Sequence, residues 1–245
     1  MIGRQETNMR QELQTSAENL GLSLDAKALV RFETYWEYLS LRNQVMNLTA
    51  ITDSAEAVQK HFLDSLALTR AADFKEKKLI DIGTGAGFPG LPLKIAVPTL
   101  EVTLLDSLQK RVTFLEEVIE RLELEGVNCV HARAEEWVAT PGQRESYDYA
   151  TSRAVAELNV LLELTLPYVR LGGACLAMKT VHAEEEIQAA AGAAAILGGE
   201  IEGHYDYTLP GSEEVVRRIV VIRKVAPTPD QYPRRFAKMQ KQPLR

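Results

Sequence analysis

Cysteine, positive charge and long apolar runs are all in short supply in this chain. Its 245 residues include two cysteines, Cys129 and Cys175. Both fall within apolar, strand-like runs, which excludes a disulfide framework and predicts two buried thiols in a reducing compartment. No apolar run approaches the roughly 18 residues of a membrane span. Met1-Ile2-Gly3-Arg4-Gln5-Glu6 lacks the apolar stretch of a secretory leader. The expectation is a cytoplasmic protein with no membrane partner and no metal site. Lysine and arginine total 28 against 34 aspartates and glutamates, a net charge of −6. Overall charge therefore gives no support for nucleic-acid binding, and any phosphate contact has to come from a local basic cluster.

One such cluster closes the sequence. Residues 226–245 carry Arg234, Arg235, Lys238, Lys241 and Arg245 against one acid, Asp230. Pro227, Pro229, Pro233 and Pro243 punctuate the segment, so it reads as extended rather than helical. It is either a solvated end or a phosphate-contacting arm.

The remainder has ample material for a core, with 46% hydrophobic residues. Three helical stretches are expected before residue 75. The first lies around Glu6–Leu20, and Gly21-Leu22-Ser23 ends it. In the second, Leu29, Phe32, Trp36 and Leu39 recur at spacings of three and four. The third covers about 55–71, after a loop at 47–53 that feeds an N-cap. From Lys78 onward, strand-like runs near 78–82, 101–105, 127–131, 147–151 and 173–178 alternate with helical ones. The clearest helix is 108–124, with Ser107 as its expected cap. Ala189–Ala195 also reads as helical. This alternation predicts a parallel sheet with helices on both faces. The last two strand-like runs, 200–209 and 214–225, are joined by Pro210-Gly211-Ser212-Glu213, too short for a parallel crossover. The expected architecture is α/β and Rossmann-like, a mostly parallel seven-stranded sheet ending in an antiparallel hairpin. It divides into an N-terminal helical subdomain (1–75), a central domain (76–225) and the C-terminal tail (226–245).

The most informative segment runs from Leu79 to Asp106. An apolar run leads into Asp81-Ile82-Gly83-Thr84-Gly85-Ala86-Gly87-Phe88-Pro89-Gly90, and a second run delivers Asp106. A strand, a glycine turn, a helix start and a carboxylate at the end of the next strand describe a nucleoside-binding crevice. Two registers overlap. Gly85-x-Gly87-x-x-Gly90 fits a dinucleotide, which would make the chain an NAD-dependent oxidoreductase. Asp81-x-Gly83-x-Gly85-x-Gly87 fits S-adenosylmethionine, which has no diphosphate to seat on a helix N-terminus. Asp81 and the terminal hairpin favour the second. Asp106 is placed for ribose hydroxyls. Arg133-Ala134-Glu135 follows the third strand, where an amide of Ala134 or Glu135 reads an adenine edge or simply starts a helix. Phe88 is either on the cofactor rim or in the core.

The fourth strand ends in Ala150-Thr151-Ser152-Arg153-Ala154-Val155. It lacks the acid or amide followed by Pro-Pro-aromatic that methylation of exocyclic amines commonly uses, and neither cysteine is on a loop as pyrimidine-carbon chemistry requires. Guanine nitrogen 7 needs neither aid, because its lone pair carries no proton and transfer then rests on positioning. Arg153, at the carboxyl end of a strand, either faces the crevice, where it orients the guanine or the cofactor carboxylate, or is a surface arginine capping a helix.

These residues resemble those of a known family. Asn47-Leu48-Thr49-Ala50-Ile51, His61-Phe62-Leu63-Asp64-Ser65-Leu66, the block from Asp81 to Pro92, Asp106-Ser107, Lys110-Arg111, Arg133-Ala134-Glu135, Arg153-Ala154-Val155-Ala156, Met178-Lys179 and Tyr232-Pro233-Arg234-Arg235 are similar to those of the bacterial 16S ribosomal RNA 7-methylguanosine methyltransferases, once called glucose-inhibited division protein B. The resemblance implies a 16S rRNA (guanine(527)-N(7))-methyltransferase using S-adenosylmethionine, with 16S rRNA or a small-subunit precursor as partner. A monomer is expected. It implies that Gly83, Phe88, Ala134, Glu135 and Arg153 line the cofactor site, with Asp106 at the ribose; Asp81, Gly85, Gly87 and Ser107 are expected in the same site. Lys179, Arg234, Arg235 and Lys238 are expected to face RNA. No catalytic acid or base is expected, Arg153 serving to orient, and the helix carrying His61 and Asp64 is expected to close over the cofactor. Thr180 and the segment Phe236-Ala237-Lys238-Met239-Gln240 depart from the family's usual pattern. A non-catalytic ribosome-assembly factor with a degenerate site is the remaining alternative.

Overall fold

The computed structural model describes residues 2–153, 156–181, 184–210 and 212–245, with side chains from Met9 onward except those of 212–214. Ala154, Val155 and Gly211, named in the motif and hairpin readings, lie outside the described residues.

The chain opens with two helices, α1 (Ile2–Asn19) and α2 (Ala26–Met46). Asp25 caps α2 by accepting from the Ala28 amide at 2.7 Å. Asn47 ends it in the left-handed region at φ 51°. Asp53 does the same capping for the next segment, accepting from the Glu56 amide at 2.9 Å. That segment is less regular than its sequence suggests. A single helix is expected over 55–71, yet α3 (Ser54–Ala57) widens into a π-helical stretch, Val58–Leu63, before α4 (Asp64–Leu66) and a 3-10 turn, Ala67–Arg70. Apolar spacing does not reveal a local change of winding, which is common beside functional sites.

The alternating part then unfolds as β1 (Lys78–Ile82), α5 (Gly90–Ala96), β2 (Glu101–Asp106), α6 (Gln109–Arg121), β3 (Val127–His131), α7 (Ala134–Trp137), β4 (Tyr147–Arg153), α8 (Leu158–Thr165), β5 (Val169–Thr180), α9 (Glu184–Ile196), β6 (Gly199–Leu209), β7 (Ser212–Lys224) and α10 (Phe236–Lys241). The seven strands lie in the order β3-β2-β1-β4-β5-β7-β6. The first five are parallel, and β7 runs antiparallel between β5 and β6. The strand order reverses at β1/β4, which places a crevice beyond the carboxyl ends of those strands.

Both faces of the sheet are covered, so alternate residues of one strand enter different cores. On β5, Ala174, Leu176 and Met178 join the core shared with α1, α2 and the 54–70 segment, while Cys175 and Ala177 face α8 and α9. On β7, Ile219 and Val221 oppose Val220 and Ile222 in the same way. The N-terminal helices therefore share one continuous apolar core with the sheet, in which Phe32, Tyr35 and Phe62 are fully buried beside Leu79 and Leu91.

Three local expectations are corrected. Ser107 does not cap α6; that position belongs to Leu108, whose amide donates to Asp106 Oδ1 at 2.9 Å. Cys129 is only half-buried, although Cys175 is buried and both thiols are free. The tail is not an extended arm: its prolines bracket a proline-free stretch that winds into α10, anchored by the buried Met239. Among the described residues, no helix is long and apolar enough to cross a membrane.

Candidate active site

The glycine loop after β1 divides into a front and a back. Gly83 and Gly85 are partly exposed and face the crevice, whereas Asp81 and Gly87 are buried. At Gly85 (φ +63°) a Cβ would meet nothing closer than 4.0 Å, so the space in front of it is open to a ligand. At Gly87 (φ +101°) a Cβ would come within 2.6 Å of both the Tyr35 hydroxyl and Leu91. Gly87 is thus required by packing, and it does not line the crevice.

Asp81 also stands behind the loop rather than in the crevice. Its Oδ2 accepts from Thr84 Oγ1 at 2.7 Å and from the Gly90 amide at 2.9 Å. Burial pushes its carboxyl up to about 6, partly offset by those two bonds. Its role is to hold the loop onto the start of α5.

The crevice has two lobes that meet at Gly83, Asp106 and Ser107. The larger, about 480 Å³, is lined by Leu48, His61, Thr84, Gly85, Ala86, Phe88, Arg111 and Arg153 among others. The smaller, about 130 Å³, is a largely apolar slot bounded by Ile82, Leu105, Ala132, Ala134, Leu164 and Phe236, with Arg133 and Glu135 at its rim. Ala134 and Glu135 are the first residues of α7, where backbone amides have no intrahelical acceptor. The Tyr168 hydroxyl donates to the Ala134 carbonyl at 2.5 Å and fixes that turn from beneath.

Asp106 joins the lobes. Its Oδ2 accepts from the Gly85 amide at 3.0 Å and from Arg111 Nη1 at 3.3 Å, so the carboxylate also ties the two lips of the crevice together. Arg111 contributes the cation that offsets this buried charge.

The helical segment 54–70 roofs the larger lobe. The His61 ring stacks on Phe88 with centroids 4.3 Å apart and planes 11° from parallel. Tyr35 stacks on Phe88 at 5.4 Å, and its hydroxyl donates to the Ala86 carbonyl. The Arg153 guanidinium lies 5.1 Å from the Phe88 centroid. It donates to Asp64 Oδ2 at 3.0 Å, to the Lys60 carbonyl at 3.1 Å and to His61 Nδ1 at 3.4 Å. With Nδ1 accepting, Nε2–H of His61 donates to Thr49 Oγ1 at 2.7 Å. Burial and the nearby Arg153 charge hold the His61 imidazole down at about 3. Phe88 is therefore both core and crevice wall.

The four basic residues expected at RNA separate into two pairs. Arg234 is committed to the buried Glu163, with Nε at 2.8 Å and Nη2 at 2.6 Å from its carboxylate oxygens. Lys179 donates to the Ala156 carbonyl at 2.9 Å and to Glu186 at 2.7 Å. These two are internal ties, each already paired with a carboxylate. Arg235 and Lys238 are exposed. Sequence reasoning missed, among others, Leu48, Thr84, Ala86, Arg111, Leu164 and Phe236 as crevice residues; of these, Leu164 and Phe236 lay outside the matching motifs.

The family described as GidB, rRNA small subunit methyltransferase G, matches residues 28–207. A protein of Acetivibrio thermocellus named Ribosomal RNA small subunit methyltransferase G is 47% identical over 243 residues, spanning 99% of this chain and all of the relative. A Geobacillus kaustophilus protein of the same name is 46% identical, spanning 95% of this chain and 98% of the relative. In fold, the chain is similar to the O-methyltransferase from Bacillus cereus in complex with SAH. The TM-score is 0.56 at 16% identity, over 78% of this chain and 91% of that one. It is also similar to TrmN from Thermus thermophilus, with a TM-score of 0.53 at 18% identity over 78% of this chain and 52% of that one. With full-length relatives of this identity and a class I methyltransferase sheet, the chain belongs to the rRNA small subunit methyltransferase G family.

Proposed function

We propose that this protein transfers the methyl group of S-adenosylmethionine to ring nitrogen 7 of a guanine in 16S rRNA, at position 527. The observation that carries the choice of cofactor is the bond from the Gly90 amide to Asp81 Oδ2 at 2.9 Å. A diphosphate needs the free amides of that helix start, and a carboxylate already occupies one of them. That disfavours an NAD-dependent oxidoreductase. The open face of Gly85 leaves room for a close-lying cofactor.

In this reading the slot between Ala134 and Phe236 holds adenine, Asp106 holds the ribose, and Gly83, Gly85 and Ser107 flank the remainder. When bound, the cofactor supplies an electrophilic methyl group on a sulfonium. The chain's own residues orient and exclude water. Among the described residues lining the larger lobe, the ionisable groups are His61, Asp106, Arg111 and Arg153. His61 is neutral, and both of its ring nitrogens are engaged. Asp106 is engaged by Gly85, Leu108 and Arg111. Such a site is suited to a nucleophile that surrenders no proton, and guanine nitrogen 7 is one. Arg153 puts a positive charge in the wall of the lobe that a base would enter, and Phe88, stacked between His61 and Tyr35, stiffens that wall. We place the reaction in the cytoplasm, where free thiols such as Cys129 and Cys175 stay reduced.

The test is methyl transfer from tritiated S-adenosylmethionine to small subunits from cells lacking the protein, followed by nucleoside mass spectrometry and mapping. One 7-methylguanosine at the proposed position is expected. Label on another atom or nucleotide, or none, overturns the assignment.

A further inference from the structure

The C-terminal tail is built into the smaller lobe. After β7 the chain is gripped by Arg144, which donates to the carbonyls of Thr228 (2.7 Å), Pro229 (3.2 Å) and Tyr232 (3.0 Å). The next anchor is Arg234 on Glu163, a carboxylate 1% exposed on α8. Met239 is fully buried in the core that holds Ile82, Leu105, Ala134 and Leu164. Between these anchors, Phe236 reaches the slot and forms a wall alongside Leu164. A solvated basic arm needs none of this, whereas a wall that must stay in register needs every one.

We propose that Phe236 is a cofactor-binding residue of the nucleoside pocket, packing against the adenine, and that the tail is a strap holding it there. The inference rests on the methyltransferase reading above. The slot is walled by Ile82, Leu105, Ala134 and Leu164 in addition, so an aromatic ring completes an apolar slot for a flat purine. The α7 amides at one edge of the slot supply hydrogen-bond donors, and Phe236 supplies surface. The tail thus serves the cofactor as well as any RNA, and removing residues 231–245 is expected to abolish cofactor binding rather than spare it.

Deleting the tail also leaves Glu163 buried without its arginine, so truncation alone confuses binding with folding. Phe236→Ala and Phe236→Tyr in the full chain are the better pair. Calorimetry with S-adenosylhomocysteine and with 5′-methylthioadenosine, which keeps the adenine and ribose but lacks the amino acid, reads the effect. Phe236→Ala is expected to weaken both ligands by the same factor, about tenfold. Phe236→Tyr keeps the ring and is expected to stay within about twofold of the parent. Equal affinities for parent and Phe236→Ala, with the parent binding normally, overturn the role of Phe236 alone. Loss confined to S-adenosylhomocysteine overturns it too, because the amino acid end lies in the other lobe. A parent that binds neither ligand instead brings down the methyltransferase reading and this inference with it.

Discussion

Arg153 donates to Asp64 across 3.0 Å, and that bond ties the end of β4 to the helical segment roofing the crevice. Asp64 is 1% exposed. Its other oxygen accepts from the Tyr207 hydroxyl at 2.7 Å and from Arg217 Nη1 at 3.2 Å, so one carboxylate joins the roof to β4, β6 and β7. Asp64→Ala leaves two arginines and a tyrosine facing an uncompensated cavity. A loss of about 3–5 kcal/mol is expected, read by urea denaturation at neutral pH. A loss under about 1 kcal/mol would place the pair among ordinary surface ion pairs.

His61 makes stability depend on pH. Its folded pKa of about 3 lies below the ordinary 6.5, so the unfolded chain takes up the proton first as the solution is acidified. The stabilisation is complete above pH 6.5 and is lost as pH falls towards 3. The slope reaches at most ~1.4 kcal/mol per pH unit. His61→Gln removes this slope while costing ~1 kcal/mol at pH 7 through the lost stack on Phe88. Denaturant titrations of both proteins between pH 7 and 4 measure it, and parallel curves would refute it. Because the imidazole is neutral throughout the working range, the methyl-transfer pH profile of His61→Gln is expected to keep the parent's shape.

The succession of strands along the chain, the terminal hairpin and the crevice at the glycine loop were legible because they rest on local patterns. Apolar runs mark the strands and the short link marks the hairpin, and the segment from Leu79 to Asp106 alone carries the crevice. Which side of the loop each residue faces was not legible. Asp81, Gly83, Gly85 and Gly87 sit at every second position, yet only the middle two front the crevice; the Gly90 amide, at the start of α5, claims Asp81, and Tyr35, remote on α2, packs against Gly87. The tail was misread for a related reason. Arg234 looked like an RNA contact because its partner, Glu163, lies 71 positions away on α8. A basic segment is read as solvated until its acid is known. The π-helical stretch left no trace, since a widened turn keeps the same apolar residues.

Asp106 is the hinge between the two lobes, and its removal is expected to be felt in cofactor affinity. Asp106→Ala deletes the acceptor for the Gly85 amide and strands Arg111. The expected weakening of S-adenosylhomocysteine binding is about 10- to 100-fold, the value of one or two charge-assisted hydrogen bonds. Asp106→Asn retains an acceptor oxygen and is expected to lose less. Isothermal calorimetry decides, and an Asp106→Ala affinity within twofold of the parent's would rule out the ribose role.

Arg234 and its neighbours on the tail are expected to behave oppositely, although all are basic. Arg234→Ala breaks a pair with a carboxylate that is 1% exposed, and a stability loss of about 3 kcal/mol is expected, visible in denaturation. Arg235 and Lys238 are exposed, at the start and within α10. If they meet phosphates, Arg235→Ala and Lys238→Ala each lower affinity for 16S rRNA and reduce the slope of log K against log salt by about one for each phosphate no longer neutralised. Their S-adenosylhomocysteine affinity and denaturation midpoints stay within error of the parent's, since neither side chain lines the slot. Filter-binding titrations over a range of salt concentrations separate the cases. An unchanged salt slope in both variants would show that α10 faces solvent rather than RNA, leaving its service to the cofactor slot as its reason for being folded at all.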